Sequence, residues 1–153
     1  MALKILPYQS IFSKAFYELN VEWLETYFYV EEFDKEVLSN PEKYIINPGG
    51  HIFFALENKK VLGTVALMPY DKNCFELTKM AVDPKERGRG IGQQMIKYCI
   101  NFSKKQEINK LILYSNTILE NAIHIYRKYG FKEIPKEKNS PYKRGNIKME
   151  LIL

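Results

Sequence analysis

The hydrophobic positions change their spacing along the chain, and these changes divide it into helical and extended segments. A short apolar run at residues 3–6 predicts a strand, which a proline ends. Large apolar residues then recur at helical spacing and predict a first helix over about 10–29. The acidic segment 31–38 predicts a second, shorter helix, and Asn-Pro-Gly-Gly at 47–50 predicts a turn.

The middle of the chain is rich in β-branched and aromatic residues, a composition typical of strands. Residues 51–57 and 61–68 predict a hairpin whose turn is formed by residues 58–60. Residues 75–82 predict a third strand, which leads into a glycine-rich segment. Apolar residues on one face then predict an amphipathic helix over about 91–104.

The last third of the chain completes an alternating pattern. Residues 111–114 are continuously apolar, which is typical of a strand covered on both faces of a sheet. Because a helix connects this strand to 75–82, we expect the two strands to be parallel and joined by a right-handed crossover. A helix over 121–129 and strands at 131–134 and 147–153 give the order β-α-α-β-β-β-α-β-α-β-β. The pattern predicts a mixed sheet with helices on both sides.

Composition narrows the class of protein. The chain has 153 residues, of which 46% are hydrophobic and 27% charged, and these values predict a single globular domain over 1–153. No apolar run reaches the ~20 residues needed to span a bilayer, and residues 1–10 lack the apolar core of a signal peptide. Cys74 and Cys99 are too few to form a disulfide framework or a metal site. We therefore expect a cytoplasmic protein with no metal and no membrane partner.

The formal net charge of +5 has two interpretations. One is a lysine-rich surface of the kind that keeps proteins soluble. The other is a preference for an anionic ligand, such as a nucleotide cofactor. The sequence contains no stripe of lysine and arginine interleaved with aromatic residues, so we expect no nucleic-acid partner.

A strand, a glycine-rich turn and a helix carry the most specific chemistry of the chain. The strand ends at Val82, and the motif Arg87-x-x-Gly90-x-Gly92 opens the amphipathic helix. Small residues at such a turn let backbone N–H groups approach a bulky anion, and the helix N-terminus behind them favours phosphate. Arg87 and Arg89 add guanidinium groups that suit phosphate oxygens. The segment therefore predicts a diphosphate-binding loop.

Two other nucleotide-binding motifs fit these glycines less well. A dinucleotide-binding fingerprint requires Gly-x-Gly-x-x-Gly and an acidic residue about 20 positions further on. Here the spacing is Gly88-x-Gly90-x-Gly92, and residues 108–114 contain no acid. A P-loop requires Lys-Ser/Thr, which does not follow Gly92. A tight turn without a ligand remains an alternative for Gly88 alone.

Taken with a second motif, the glycine-rich loop resembles that of the GNAT superfamily of acetyl-CoA-dependent N-acetyltransferases. The first motif matches the family's pyrophosphate motif, Arg/Gln-x-x-Gly-x-Gly/Ala. Residues 121–131 match, in loose form, the second signature, Asn-x-x-Ala/Ile-x-x-Tyr-x-x-x-Gly-Phe. The resemblance extends over nearly the whole chain. It implies an α/β (α+β) fold with a mixed, mostly antiparallel sheet, helices on both faces, and a central parallel strand pair splayed to bind acetyl-CoA.

The resemblance also implies which residues bind acetyl-CoA. The end of the third strand offers backbone N–H groups to the pantetheine arm and to the thioester carbonyl, and the loop holds the diphosphate. Asn121 resembles the asparagine that binds the pantetheine arm near the thiol, although a helix-capping role is an alternative. The implied cofactor-binding residues are Met80, Ala81, Val82, Arg87, Gly88, Arg89, Gly90, Ile91, Gly92, Asn116, Asn121 and Tyr126.

The reaction implied by the resemblance is direct attack of a primary amine on the thioester of acetyl-CoA. The amine is mostly protonated at neutral pH, so the reaction needs a base. Glu76 lies six residues before Val82, at the position commonly taken by a glutamate base in the family. An exposed strand residue or a structural ion pair is the alternative interpretation of Glu76, and Glu57 and Glu22 are possible substitutes.

Tyr126 matches the general-acid tyrosine of the family, residue for residue. A phenol can donate a proton to the departing thiolate without being ionised at neutral pH. The alternative is a core aromatic residue, because Tyr126 shares the apolar face of its helix with Ala122 and Tyr129. His51 and His124 are interpreted as ordinary histidines, neither bases nor metal ligands.

The acceptor is left open by the sequence. Aromatic and acidic residues in the first two helices suit a cationic amine, whereas the basic segment 136–143 suits an acidic acceptor. We expect a small-molecule amine and a monomer or homodimer. The alternatives are a protein acetyltransferase that acts on lysine or N-terminal amines, and a non-catalytic module that binds CoA or a metabolite.

Overall fold

Seven strands form one mixed sheet in a computed structural model that describes residues 3–140 and 142–153. Part of the segment 1–10 considered above, and one residue of 136–143, lie outside the described residues. The strands are β1 (Lys4–Pro7), β2 (His51–Glu57), β3 (Lys60–Asp71), β4 (Cys74–Val82), β5 (Lys110–Ser115), β6 (Lys132–Ile134) and β7 (Ile147–Ile152). Their order across the sheet is β1-β2-β3-β4-β5-β7-β6, and among these described strands only the β4–β5 pair is parallel.

Four helices flank the sheet in the described part of the chain, and they confirm the predicted element order. None of the described helices is both long enough and apolar enough to span a membrane. Two 3-10 turns, Ser10–Phe12 and Pro84–Glu86, and one π-helical turn, Glu42–Ile46, supplement them. The helices are α1 (Ser13–Tyr27), α2 (Glu32–Ser39), α3 (Ile91–Lys105) and α4 (Glu120–Lys128).

Each face of the sheet carries its own apolar core. On one face, α3 and α4 pack on alternate strand residues such as Phe53, Leu77 and Leu111. On the other face, α1 and α2 pack on the intervening strand residues, among them Phe54 and Ala66. This alternation follows from the period of two along a strand, and it explains why 111–113 in the centre of the sheet are apolar throughout.

The parallel strands β4 and β5 are paired over only three residues each. Cys74–Glu76 pairs with Lys110–Ile112, and the remaining six residues of β4 have no partner in β5. Past this point β5 pairs only with β7, so a gap opens between the two central strands. The backbone groups that β4 turns toward the gap are therefore available to another extended chain.

A β-bulge interrupts β4 at the start of this gap. The pairing with β3 shifts register between Thr64 and Ala66, opposite Lys79. The backbone of Lys79 has a φ of 55°, in the left-handed region that costs a non-glycine residue ~1–3 kcal/mol. The side chains of Thr78 and Lys79 both contact the hydroxyl of Tyr142, at 3.3 and 3.1 Å. Neighbouring strand residues normally point to opposite faces, so the bulge allows these two to reach the same group.

Candidate active site

A cavity of about 170 Å³ lies where β4 and β5 separate. Its wall is formed by α1, the bulged part of β4, the end of β5, the start of α4 and the segment before β7. Among the residues predicted from the sequence, the structure brings together Met80, Asn116 and Tyr126 in this wall. The cavity therefore lies at the separated strand pair, where the resemblance implies that acetyl-CoA binds.

The glycine-rich loop lies next to the cavity and has the backbone expected of an anion site. Gly88 and Gly90 have φ of 86° and 77°, and a Cβ built on either glycine would meet no atom within 4 Å. Gly90 immediately precedes α3, whose first N–H groups have no acceptor within the helix. A Cβ at Gly92 would lie 4.0 Å from Met80 Cε, so Met80 connects the loop to the cavity. Open space beside helix N–H groups that lack an acceptor is an arrangement that favours an anion, and diphosphate binding by this loop stays a prediction.

Both arginines of the loop are paired with carboxylates. Arg87 donates to Glu22 of α1, whereas Arg89 donates to Glu57 at 2.8 Å and to Glu86. Hydrogen bonds from Arg89 lower the pKa of Glu57. Because Glu22 and Glu57 are each paired with an arginine, they are weaker candidates than Glu76 for the base. Ile91 is buried in the core, so only its backbone N–H can contribute to the loop.

Three predicted cofactor contacts lie at the end of β4. Ala81 is buried and is paired with Thr64, and Val82 is paired with Gly63, both on the β3 side. Neither residue pairs with β5, and Met80 lines the cavity. The N–H groups of this segment are the donors that a pantetheine arm would use, and that role stays a prediction.

Glu76 is buried behind the cavity wall. It lies on β4 beside Met68 of β3 and Ile112 of β5, and it is not among the described residues that line the cavity. One oxygen, Oε2, has no hydrogen-bond partner within 3–140 and 142–153. Burial raises the pKa of Glu76, although the nearby charge of Lys79 and the hydroxyls of Tyr142 and Thr78 oppose this rise. Since Glu76 is buried, the interpretation as an exposed strand residue is wrong.

A buried ion cluster that sequence reasoning missed adjoins Glu76. The ammonium group of Lys79 lies 3.3 Å from Asp34 Oδ1, and neither side chain is more than 3% exposed. Arg144 donates to both oxygens of Asp34 and, at 2.8 Å, to Glu31. Burial lowers the pKa of Lys79, and the charges of Asp34 and Glu76 oppose this effect. A lysine within an apolar strand was the one sequence signal of this cluster.

Tyr126 both packs in the apolar core and lines the cavity, so the two alternatives taken from the sequence are compatible with each other. Its ring packs edge-on against Phe131, with the ring centroids 5.9 Å apart, and the residue also lines the cavity. Burial raises the pKa of Tyr126 to about 12. The hydroxyl therefore keeps its proton throughout the neutral range.

The two asparagines differ in their environment. Asn116 lines the cavity, donates to the carbonyl of Arg144 at 2.7 Å and accepts from the N–H of Ile118 at 3.0 Å. Asn121 is exposed on the first turn of α4, where Leu119 occupies the N-cap position. Asn121 is therefore not a helix cap, and its contact with the pantetheine arm stays a prediction.

The histidines and cysteines form no metal cluster among the described residues, which contain no group of three or more His, Cys, Asp and Glu suited to an ion. His51 packs against Phe102 with ring centroids 4.7 Å apart, and burial lowers its pKa. His124 is exposed on α4. Cys74 and Cys99 are both buried free thiols.

Known proteins are similar to this chain in sequence and in fold. The human N-acetyltransferase 8B is 27% identical over 111 residues, which cover 69% of this chain and 49% of that protein. An uncharacterized N-acetyltransferase of Schizosaccharomyces pombe is 29% identical over 114 residues, covering 68% of this chain and 70% of that protein. The chain thus spans about half the length of the human relative.

Solved structures under 25% identical share the fold. A GNAT-family acetyltransferase of Staphylococcus aureus superposes with a TM-score of 0.85 at 24% identity, over 97% of this chain and 98% of that chain. The PaiA N-acetyltransferase of Thermoplasma acidophilum, in complex with coenzyme A, superposes with a TM-score of 0.77 at 18% identity, over 100% of both chains. The model of the acetyltransferase (GNAT) family matches residues 14–131, which is more than half of the chain. The chain therefore belongs to the GNAT family of acetyltransferases.

Proposed function

We propose that this protein transfers an acetyl group from acetyl-CoA to the primary amine of a small molecule. The observation that carries the proposal is the continuity between the glycine-rich loop, the gap between β4 and β5, and the cavity that Tyr126 lines. A diphosphate on the loop would direct an extended pantetheine arm along the open edge of β4. Its thiol end would then lie near Tyr126.

Acetyl-CoA would supply the activated acetyl thioester. The N–H groups around Gly90 and at the start of α3 are suited to bind its diphosphate, with Arg87 and Arg89 adjoining them. Met80, Ala81 and Val82 would bind the arm through their backbone, with the asparagines Asn116 and Asn121 completing the set. The coenzyme A in the PaiA structure supports this choice of cofactor.

Tyr126 would act as the general acid. Its hydroxyl holds a proton at the cavity wall at neutral pH because burial keeps its pKa near 12, and the same rise makes it a weaker acid than a free phenol. A departing thiolate needs such a proton, and a positioned acid contributes about 10²–10⁴-fold to a rate.

Glu76 would act as the base, but only indirectly. The hydroxyls of Thr78 and Tyr142 line the cavity and lie 3.3 Å apart, whereas Glu76 lies behind them. We propose that the ammonium proton reaches Glu76 by way of these hydroxyls or a water molecule. The raised pKa of Glu76 favours this role, because a carboxylate with a higher pKa is a stronger base.

The size of the cavity favours a small acceptor over a protein. At about 170 Å³ it lies below the ~300–1,000 Å³ of pockets that enclose drug-sized ligands. A protein amine would instead need a groove that accepts a polypeptide. The acid at Tyr126 favours an enzyme over a module that only binds CoA, because binding alone does not require a proton donor.

Thermal unfolding with and without acetyl-CoA tests the cofactor, with NADH and ATP as controls. A ligand at about 100 times its Kd adds roughly 2.7 kcal/mol to stability, which is roughly 5–10 °C in Tm for a domain of this size. We expect this rise with acetyl-CoA alone. A free-thiol assay with a panel of amines then tests transfer. A rise in Tm without amine-dependent release of CoA would support the binding module, and no rise would overturn the proposal.

A further inference from the structure

The charged side chains that line the cavity are all cationic. Of the residues that the structure describes, Lys79 and Arg144 line it, and no aspartate or glutamate does. The carboxylates Glu31 and Asp34 pair with these cations from outside the lining. The acidic residues of the first two helices that suggested a cationic acceptor are thus partly engaged with protein cations.

Lys79 and Arg144 retain hydrogen-bond donors after these pairs are formed. The ammonium group of Lys79 has three donors and uses two, on Asp34 at 3.3 Å and on the hydroxyl of Tyr142 at 3.1 Å. The guanidinium group of Arg144 has five donors and uses three, on Glu31 and on the two oxygens of Asp34. Among the described residues, one donor on Lys79 and two on Arg144 have no hydrogen-bond partner.

The surroundings of Lys79 hold its charge in a fixed position. The residue lies on the bulge with a φ of 55°, and its side chain is only 3% exposed. The ring of Tyr142 contacts both cations, with its centroid 4.5 Å from Lys79 Nζ and 4.8 Å from Arg144 Cζ. A strained backbone at a buried charge is typical of a functional site.

We infer that the acceptor is an aminocarboxylate, a small molecule whose anionic carboxylate is bound by Lys79 and Arg144 while its amine is acetylated. The inference rests on the proposed acetyl transfer and names the class of its acceptor. Two cations with free donors match a carboxylate, which offers two acceptor oxygens. A diamine or polyamine would bring a second positive charge to a wall that has no carboxylate among its described residues.

Binding to the CoA-saturated protein tests this inference without requiring turnover. The ligands are N-acetyl-L-amino acids, compared by calorimetry with their N-acetyl amino acid amides, which have nearly the same shape and no charge. We expect at least one acid to bind at least ~10-fold more tightly than its amide, because the amide offers these cations one acceptor oxygen and no negative charge. In the free-thiol assay, the parent amino acid should exceed its amide and its decarboxylated amine in kcat/KM by a similar factor.

Two variants test whether the cavity cations cause the preference for acid over amide, and a third variant is the matched control. Lys79→Met and Arg144→Gln should each reduce the preference for acid over amide to within ~3-fold. Arg144→Gln is the second test because it leaves the Lys79–Asp34 pair in place. Lys148→Met should leave the preference unchanged, because Lys148 is also nearly buried and ion-paired, with Glu137 at 3.0 Å, but does not line the cavity.

The outcomes separate this inference from the proposed function. Equal binding of acids and amides, faster acetylation of diamines, or a preference that survives in both variants would overturn the aminocarboxylate. In any of those cases, a rise in Tm with acetyl-CoA and amine-dependent release of CoA would still support acetyl transfer. Binding of acids that requires Lys79 and Arg144 supports the inference even in a protein that does not turn over.

Discussion

The guanidinium Nη2 of Arg87 lies 2.5 Å from Oε1 of Glu22, so an ion pair joins the glycine-rich loop to α1. Tyr27 of the same helix contacts Arg87 as well, with its ring centroid 5.4 Å from the guanidinium carbon. Helix α1 also supplies Asn20 and Trp23 to the cavity wall. A diphosphate that binds Arg87 would lie close to the negative charge of Glu22, on the helix that borders the proposed acceptor site.

Removal of the Glu22 carboxylate should tighten cofactor binding. We expect Glu22→Gln to lower the Kd of CoA by ~2–5-fold, because a partly exposed ion pair contributes at most ~1 kcal/mol. Calorimetry at fixed ionic strength measures the change. Glu18→Gln is the control, because Glu18 is exposed one turn earlier on α1 and the substitution changes the net charge equally. Weaker or unchanged binding in Glu22→Gln alone would argue against a role for Arg87 in phosphate binding.

A substitution at Gly90 should affect both cofactor binding and stability, and a second glycine with positive φ separates the two effects. Gly90→Asp should abolish the rise in Tm with CoA, because it places bulk and negative charge over the loop. Its left-handed φ also predicts a loss of ~1–2 kcal/mol in the free energy of unfolding.

Gly49→Asp is the matched control for this variant. Gly49 has a φ of 105°, and a Cβ there would also meet no atom within 4 Å. We expect Gly49→Asp to lose similar stability in chemical denaturation and to keep the full rise in Tm with CoA. Normal CoA binding by Gly90→Asp would show that the loop does not hold the diphosphate.

Tyr126→Phe tests the general acid. The ring and its contact with Phe131 are retained, so CoA affinity and stability should be nearly unchanged. The turnover number should fall by ~10²-fold, because the thiolate then leaves without a proton donor. Tyr129→Phe is the control, since Tyr129 lies on the next turn and donates to Gln93, away from the cavity lining. Equal turnover in both variants would assign Tyr126 to the core alone.

The element order could be predicted because it follows from local patterns. The spacing of hydrophobic residues changes between the helical and the strand period where the observed helices and strands change. The parallel pairing of β4 and β5 follows from the helix that connects them. The errors are at boundaries. The β2–β3 turn contains two residues, Asn58 and Lys59, and not three, since both adopt positive φ in a tight hairpin turn.

The polar interior of the site could not be predicted in the same way. Lys79 is in a left-handed conformation that its own residue type disfavours, and only the tertiary surroundings hold it there. The contacts of Asp34 join residues 45 and 110 positions apart, so no local spacing indicates them. The ion pairs of Arg87 with Glu22 and of Arg89 with Glu57 also join residues far apart in the sequence. These pairs make Glu22 and Glu57 weaker candidates for the base.

Asp34 should be essential for stability. Although burial by itself raises its pKa, hydrogen bonds from Arg144 and the charge of Lys79 hold the pKa of Asp34 below its ordinary value. Asp34→Asn leaves the buried Lys79 without its carboxylate partner and removes the same partner from the partly buried Arg144, which should cost ~3–5 kcal/mol in the free energy of unfolding. Urea unfolding at pH 7 measures the loss. Glu32→Gln, an exposed carboxylate on the first turn of the same helix, should cost less than ~1 kcal/mol. A loss below that of the control would contradict the account of the cluster.

Replacement of Glu76 by glutamine should lower activity and raise stability relative to the wild type at neutral pH. As the base, it should be needed most near neutral pH, where the acceptor amine is protonated. We expect Glu76→Gln to lower kcat/KM there and to regain part of it at high pH, where the amine loses its proton unaided. Glu25→Gln, which changes an exposed carboxylate of α1, is the control. A rate that responds to pH as in the wild type would assign the proton to water or to another group.

The stability of the same variant gives an independent test. Burial raises the pKa of Glu76 in the folded protein above its ordinary value of 4.5, so the folded state binds the proton more tightly than the unfolded state. The stability linked to that proton is present below pH 4.5 and is lost as the pH rises through the folded pKa. Glutamine cannot ionise, so the Tm of Glu76→Gln relative to the wild type should rise between pH 4.5 and 8. A difference that stays constant or falls over this range would mean that Glu76 is stabilised as a carboxylate by Lys79.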